Sequence, residues 1–328
     1  MKTKMKNEKK VRSVHRKGCV RMKFDIKPKP PFDFQKMMQR LTVTGKTHVL
    51  KLNEQFTEYE KIIRIERVSC FVKVVSSGTV TAPILNCQAI PLNGQVSEAA
   101  VKKKVKQLFS TEVDLSPLYE HFAEHDKLVH VLQRFKGLKL LTDTDLFESI
   151  VKIIIGQQVN LTFAGTLTER LIELAGEKVE VEGSTFQIFP TSTAVAKLKY
   201  EDLRALQFSQ RKAEYIIDLA KLISEGTVDF ESLWEMSDEE VIQTLLPIRG
   251  IGKWTIECLL IFGMGRTDVL PAADIGLRNA IRQVWTLAEQ PSEEEVRKLA
   301  MDWTPWRTYI TYYLWESLNQ TPAVVDHT

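Results

Sequence analysis

Apolar and polar residues alternate through residues 41–90, in the runs LTVTG, THVLKL, IIRIERV, FVKVVSS and APILNCQAI. These runs are rich in β-branched residues and separated by Gly, Asn and Ser, a pattern that predicts strands with one buried face. Beyond about residue 98 the period lengthens. SEAAVKKKVKQLF and DLSPLYEHFAEHDKLVHVLQRF space their apolar residues as helices do, and from about 142 onward nearly every segment reads as helix. Thr142 precedes the apolar run DLFESIVKIIIGQQV, and LTFAGTLTERLIELAG stops at Gly176. In SQRKAEYIIDLAKLISEG, Ala213, Ile216, Ile217, Ala220 and Ile223 share one helical face, and Gly226 marks the end. Ser237 with Glu240, and Ser292 with Glu295, have the spacing of capping boxes. The pattern predicts an α+β chain. A basic extension occupies 1–22, a β-rich N-terminal domain with helices 23–135, an all-α core 136–318 and a short tail 319–328.

Composition narrows the class. A chain of 328 residues with 44% hydrophobic content buries a large core without disulfides or structural metal. Its four cysteines, Cys19, Cys70, Cys87 and Cys258, are scattered, with no CxxC pair to hold zinc or an iron-sulfur cluster. A reducing, cytoplasmic setting is expected. The net charge is +3, but the first thirty residues hold twelve basic and two acidic side chains, so the remainder is net negative. This basic stretch reads as a disordered arm or as residues upstream of a start at Met22, with a phosphate-binding tail as the alternative. It lacks the apolar centre of a signal peptide, and no run of about 18 apolar residues suggests a membrane span.

The segment LLPIRGIGKWTIECLLIFGMG, residues 245–265, carries most of the chemistry. A capped helix ends at Leu246-Pro247, two glycines (Gly250 and Gly252) permit a tight turn, and a second helix starts near Lys253. The start of that helix directs free N–H groups outward at the positive end of its dipole, a site for a DNA phosphate. By this reading Gly250, Gly252, Lys253 and Thr255 bind phosphate. About twenty residues on comes Leu270-Pro271-Ala272-Ala273-Asp274-Ile275-Gly276. Together the hairpin and the aspartate resemble the helix-hairpin-helix and Gly/Pro-Asp elements of DNA glycosylases. Ile155-Gly156-Gln157-Gln158-Val159, the stretch from Pro305-Trp306-Arg307 to Leu314-Trp315, and Pro30-Pro31-Phe32-Asp33-Phe34 extend the likeness to AlkA-like DNA-3-methyladenine glycosylases, from about residue 24 to 317. The resemblance implies an N-terminal antiparallel sheet followed by two helical subdomains with the active cleft between them.

Each chemical need of such an enzyme has a candidate residue. Asp274 is the catalytic carboxylate that stabilises positive charge developing at C1′ and orients water; it also reads as the N-cap of the following helix. Trp254 stands where bifunctional relatives carry a Schiff-base lysine, which implies water as the nucleophile and no strand cleavage. Its ring is either a core side chain or an electron-rich face for a cationic alkylated purine. Trp315 resembles the second pocket aromatic. Tyr312 shares its side of the helix and is a pocket candidate with it, although core packing is the usual meaning of a stripe such as Tyr309, Tyr312 and Tyr313. Gln157 and Gln158 form either a polar turn or the wedge that fills the gap left by a flipped base. The resemblance implies a Na+ or K+ ion held by the carbonyls of Leu246, Ile248 and Gly250, and no cofactor for catalysis. Arg40 occupies a position where a pocket phenylalanine is expected. The partner implied is double-stranded DNA bearing alkylated bases, met by a monomer. The alternatives are excision of oxidised or deaminated purines on the same fold, and a non-catalytic DNA-binding module.

Overall fold

The computed structural model describes residues 12–13, 21–42, 49–143 and 145–318. The predicted extension over 1–22 therefore lies mostly outside the described residues, and the tail over 319–328 wholly so. Within the extension, β1 (Arg12–Ser13) pairs in parallel with residues 179–180, and Met22 already belongs to the first long strand.

That strand, β2 (Met22–Ile26), joins β3 (Leu50–Leu52), β4 (Glu58–Ile65), β5 (Val68–Thr79) and β6 (Ala82–Pro91) in one antiparallel sheet of order β2-β6-β5-β4-β3. The run IIRIERV is not one strand. Glu66 and Arg67 both have positive φ, so it is split by a two-residue hairpin turn between β4 and β5. In LTVTG, Leu41 ends helix α1 (Phe34–Leu41), and the residues from 43 lie outside the described ones. Helices α1 and α2 (Glu98–Leu108) cover one face of the sheet, where Phe109 meets the rings of Phe34 and Tyr59.

The helical half comprises α3 (Ser116–His121), α4 (Leu128–Arg134), α5 (Leu146–Gly156), α6 (Leu161–Ala175), α7 (Ser192–Val195), α8 (Tyr200–Ala205), α9 (Gln210–Ser224), α10 (Asp238–Leu245), α11 (Lys253–Cys258), α12 (Ile275–Trp285), α13 (Glu293–Leu299) and α14 (Arg307–Leu318). Both capping boxes form, at Ser237 and Ser292. The expectation of an all-α core needs one correction. Residues 177–188 make a hairpin of β7 (Glu177–Val181) and β8 (Ser184–Ile188), turned by Glu182-Gly183 with positive φ at both. Its apolar side, Val179, Val181, Phe186 and Ile188, packs on Ile62, Phe71 and Leu92. Part of the second face of the N-terminal sheet, around Ile62 and Phe71, is thereby buried too, which explains why two alternating strands persist inside a helical region.

Helix α5 is buried on nearly every side, including Glu148. Glu148 is held by Lys61 of β4 at 2.9 Å and by Lys152 at 2.7 Å, and Lys152 also reaches Asp143 at 2.7 Å. Arg64 of β4 meets Asp145, the N-cap of α5, at 3.0 Å. The buried charges among them, Lys61 and Glu148, are costly unless paired. The network therefore fixes the sheet against the helix that leads to the Gln157–Gln158 turn.

Candidate active site

The turn between α10 and α11 is shaped by one glycine in particular. Gly250 has φ of +91°, and a Cβ there would lie 2.2 Å from Cγ of Tyr215 on α9, so this position excludes any side chain. Gly252 is the N-cap of α11, has ordinary φ, and faces open space. Its lack of a side chain serves no internal packing; it leaves the N–H groups at the start of α11 uncovered. Lys253 is exposed beside them. Thr255 is a correction: its side chain is buried, and its hydroxyl accepts a hydrogen bond from Gln157 Nε2 at 3.0 Å. Only its backbone N–H is left for a phosphate. The same Gln157 nitrogen donates to the Gly250 carbonyl at 3.2 Å.

Gln157 is thus a strut between the α5–α6 turn and the hairpin, not a free probe. Gln158 is exposed with φ of +56°, and it is the residue that the turn projects. Lys212 of α9 supports the turn from behind by donating to the Ile155 carbonyl at 2.7 Å, in the last turn of α5. Burial pulls this ammonium below the ordinary lysine range.

Asp274 caps α12, its Oδ1 accepting from the Leu277 N–H at 2.6 Å. The cap and the site are one structure, because two indoles converge on the same carboxylate. Trp315 Nε1 donates to Oδ1 at 2.8 Å, and Trp254 Nε1 donates to Oδ2 at 2.8 Å. The spacing from hairpin to aspartate is what lets Trp254, one residue into α11, reach it. Gly276 matters for the other indole: a Cβ there would meet Asp274 Oδ1 at 3.0 Å and the Trp315 ring at 3.3 Å. With Oδ1 taking two donors and Oδ2 one, the lone pair left open is on Oδ2.

Sequence reasoning missed the next layer. Phe262, in a π-helical turn (Leu259–Gly263) that continues α11, stacks on Trp315 with ring centroids 5.7 Å apart and planes 21° from parallel. A π-turn has no sequence signature, so nothing marked this phenylalanine among its apolar neighbours. Tyr312 is a further correction. It is 1% exposed and lies beneath the Arg40 guanidinium at 4.7 Å, so it backs the wall and offers no open face. Burial pushes its hydroxyl up to about 12, against the opposing pull of Arg40. Tyr309 and Tyr313 are also buried, as a core stripe requires. Two surface cavities, of about 580 and 370 Å³, lie elsewhere, the larger between α2 and Met264–Gly265; the chemistry converges on Asp274 instead.

Of the carbonyls assigned to a monovalent cation, that of Ile248 accepts from the Ile251 N–H and that of Gly250 from Gln157. A carbonyl oxygen has two lone pairs, so each retains one for a cation. Three neutral oxygens suit a singly charged ion.

The family model of HhH-GPD superfamily base excision DNA repair proteins matches residues 151–306. A Bacillus subtilis protein whose name assigns it provisionally as a DNA-3-methyladenine glycosylase is 34% identical over 291 residues, 88% of this chain and 97% of the relative. The DNA-3-methyladenine glycosylase of Bacillus subtilis is 30% identical over 261 residues, 79% of this chain and 85% of the relative. Among solved structures, the 3-methyladenine DNA-glycosylase from Archaeoglobus fulgidus aligns with a TM-score of 0.78 and 25% identity, over 90% of this chain and 98% of that one. The chain belongs to the HhH-GPD superfamily of base excision DNA repair proteins. Among the described residues, no helix is long and apolar enough to cross a membrane.

Proposed function

We propose that this protein is a monofunctional DNA glycosylase that excises alkylated purines from duplex DNA by hydrolysis and leaves an abasic site. The observation that carries the reading is the Asp274 carboxylate, fixed by three N–H donors with one Oδ2 lone pair left open. A carboxylate held in this way stabilises the oxocarbenium character that C1′ acquires as the base departs, without reorganising at the moment of reaction. It also has an acceptor with which to orient the attacking water. The names of the similar proteins support alkylated purines as the substrate class.

Trp254 occupies the position of the Schiff-base lysine and is tied to Asp274, while Lys253 is exposed one residue earlier, about 100° around the helix. This arrangement supports water as the nucleophile and the absence of lyase chemistry. The start of α11, with Gly250, Gly252 and Lys253, grips a phosphate of the lesion strand. Gln158 enters the space vacated by the extruded base. A Na+ or K+ ion on the Leu246, Ile248 and Gly250 carbonyls would strengthen the positive end of the hairpin. The protein works on duplex DNA as a monomer, in the cytoplasm.

The test is digestion of dimethyl-sulfate-treated duplex DNA. Free methylated purines, with strand breaks only after alkali, are the expected products. Breaks without alkali would overturn the water-nucleophile assignment, and no free base would overturn the glycosylase reading.

A further inference from the structure

Arg40, in the last turn of α1, crosses 276 residues of sequence to donate from Nε to Glu316 Oε1 at 2.5 Å. Its guanidinium carbon lies 4.7 Å from the Tyr312 ring centroid and 5.9 Å from that of Phe262. Phe262 in turn stacks on Trp315, whose indole N–H rests on Asp274. Guanidinium, Phe262, Trp315 and carboxylate therefore form one continuous row. Glu316 is nearly buried at 8% side-chain exposure, whereas Arg40 keeps 30%. The bond to Glu316 uses Nε, so the two terminal nitrogens of the fork are the donors that this bond leaves over.

Resting on the glycosylase reading above, we propose that Arg40 sets the base preference of the enzyme, by donating from its terminal nitrogens to the O6 edge of an extruded 6-oxopurine. The guanidinium fork matches the O6/N7 acceptor pair of guanine-type bases. Adenine-type bases present an amino group at C6, which turns donors toward donors. Hypoxanthine offers both O6 and N7. 7-Methylguanine offers O6 alone, since its N7 is methylated. A fixed cation in the wall disfavours 7-methylguanine and 3-methyladenine alike, because both are cationic, so the ratio between them weighs an O6 acceptor against the amino group and N7 acceptor of 3-methyladenine.

The experiment measures release of 7-methylguanine and 3-methyladenine from one dimethyl-sulfate-treated duplex, and of hypoxanthine from a defined duplex, by native protein, Arg40→Ala and Arg40→Lys. Arg40→Ala is expected to lower the 7-methylguanine to 3-methyladenine ratio about tenfold, the worth of one hydrogen bond from a charged donor. Arg40→Lys keeps the charge and loses the fork, so hypoxanthine release falls more than that of 7-methylguanine. Equal loss of both methylated bases in Arg40→Ala would reduce Arg40 to a structural support and overturn the proposal. So would an unchanged ratio in Arg40→Ala, or an unchanged hypoxanthine to 7-methylguanine ratio in Arg40→Lys should the alanine variant fail to fold. Native protein that releases none of these bases refutes the glycosylase reading itself; native release with unaltered ratios in the variants refutes only the role of Arg40.

Discussion

Asp274→Asn is the obvious probe of the carboxylate, and the structure predicts that it does more than remove a charge. Both carboxylate oxygens accept from N–H groups: Oδ1 from Leu277 and Trp315, Oδ2 from Trp254. An asparagine amide has one oxygen and one NH2, so whichever way it turns, a donor confronts a donor. The lower-cost orientation points NH2 at Trp254, which loses one bond, and keeps oxygen toward Leu277 and Trp315. One part-buried N–H left without an acceptor costs about 1–3 kcal/mol. Asp274→Asn should therefore be less stable by about that amount, besides losing about 10²- to 10³-fold or more in base release through loss of the stabilising charge. The assay is denaturant unfolding combined with indole N–H NMR. The Trp254 resonance should move toward that of an unbonded indole while the Trp315 resonance stays. Trp254→Phe, destabilising in the native background, should cost little or nothing in the Asp274→Asn background, since it removes the confronting donor. Equal stability of Asp274→Asn and native protein with both indole resonances unmoved would refute this account of the site. Undiminished base release would show that Asp274 only caps α12.

Three other perturbations probe the hairpin and helix α11. Gly250→Ala forces a residue with a Cβ into φ of +91° and into the Tyr215 ring, and is expected to cost at least about 3 kcal/mol in denaturant unfolding; wild-type stability would show that the hairpin tolerates a different turn. Lys253→Ala should leave unfolding unchanged, but weaken duplex binding and reduce the slope of log K against log salt by about one; an unaltered slope would remove Lys253 from the phosphate contact. Glu257 is buried in α11, and that burial pushes its carboxyl up to about 7. The folded state thus holds this proton more tightly than the unfolded state. Its contribution is complete below the ordinary glutamate value, and is lost as pH rises through about 7. Glu257→Gln should therefore gain stability over native protein at pH 8, by about 2–3 kcal/mol after allowance for screening, and show no gain at pH 4; a gain independent of pH would refute the assignment.

What could be read from the chain was what local backbone chemistry dictates. Gly250 must be glycine because of its own φ, Ser237 and Ser292 must cap because of the residues three positions on, and Asp274 announces a helix start. The two-glycine turn and the aspartate at a set distance made the site legible before any packing was known. What escaped depends on partners distant in sequence. Arg40 and Glu316, or Gln157 and Thr255, meet only when separate elements dock. Thr255 reads as solvent-facing at a helix start until α5 is placed against it. Tyr312 shares the side of Trp315 along α14, but α1 lays Arg40 across it. The β7–β8 hairpin escaped because its strands are five residues each, short enough to be absorbed into a helical surrounding.

Because Gln157 joins the Gly250 carbonyl to the turn that carries Gln158, the two loops form a caliper of fixed span. Under the proposed mode of binding, one jaw rests on a phosphate and the other tests the base stack a set distance away. The protein then inspects DNA in register with the backbone repeat, one nucleotide at each step. Lengthening the α5–α6 turn by a residue would not merely weaken the grip; it would move the inspected position relative to the anchored phosphate, and so change which nucleotide is offered to Asp274.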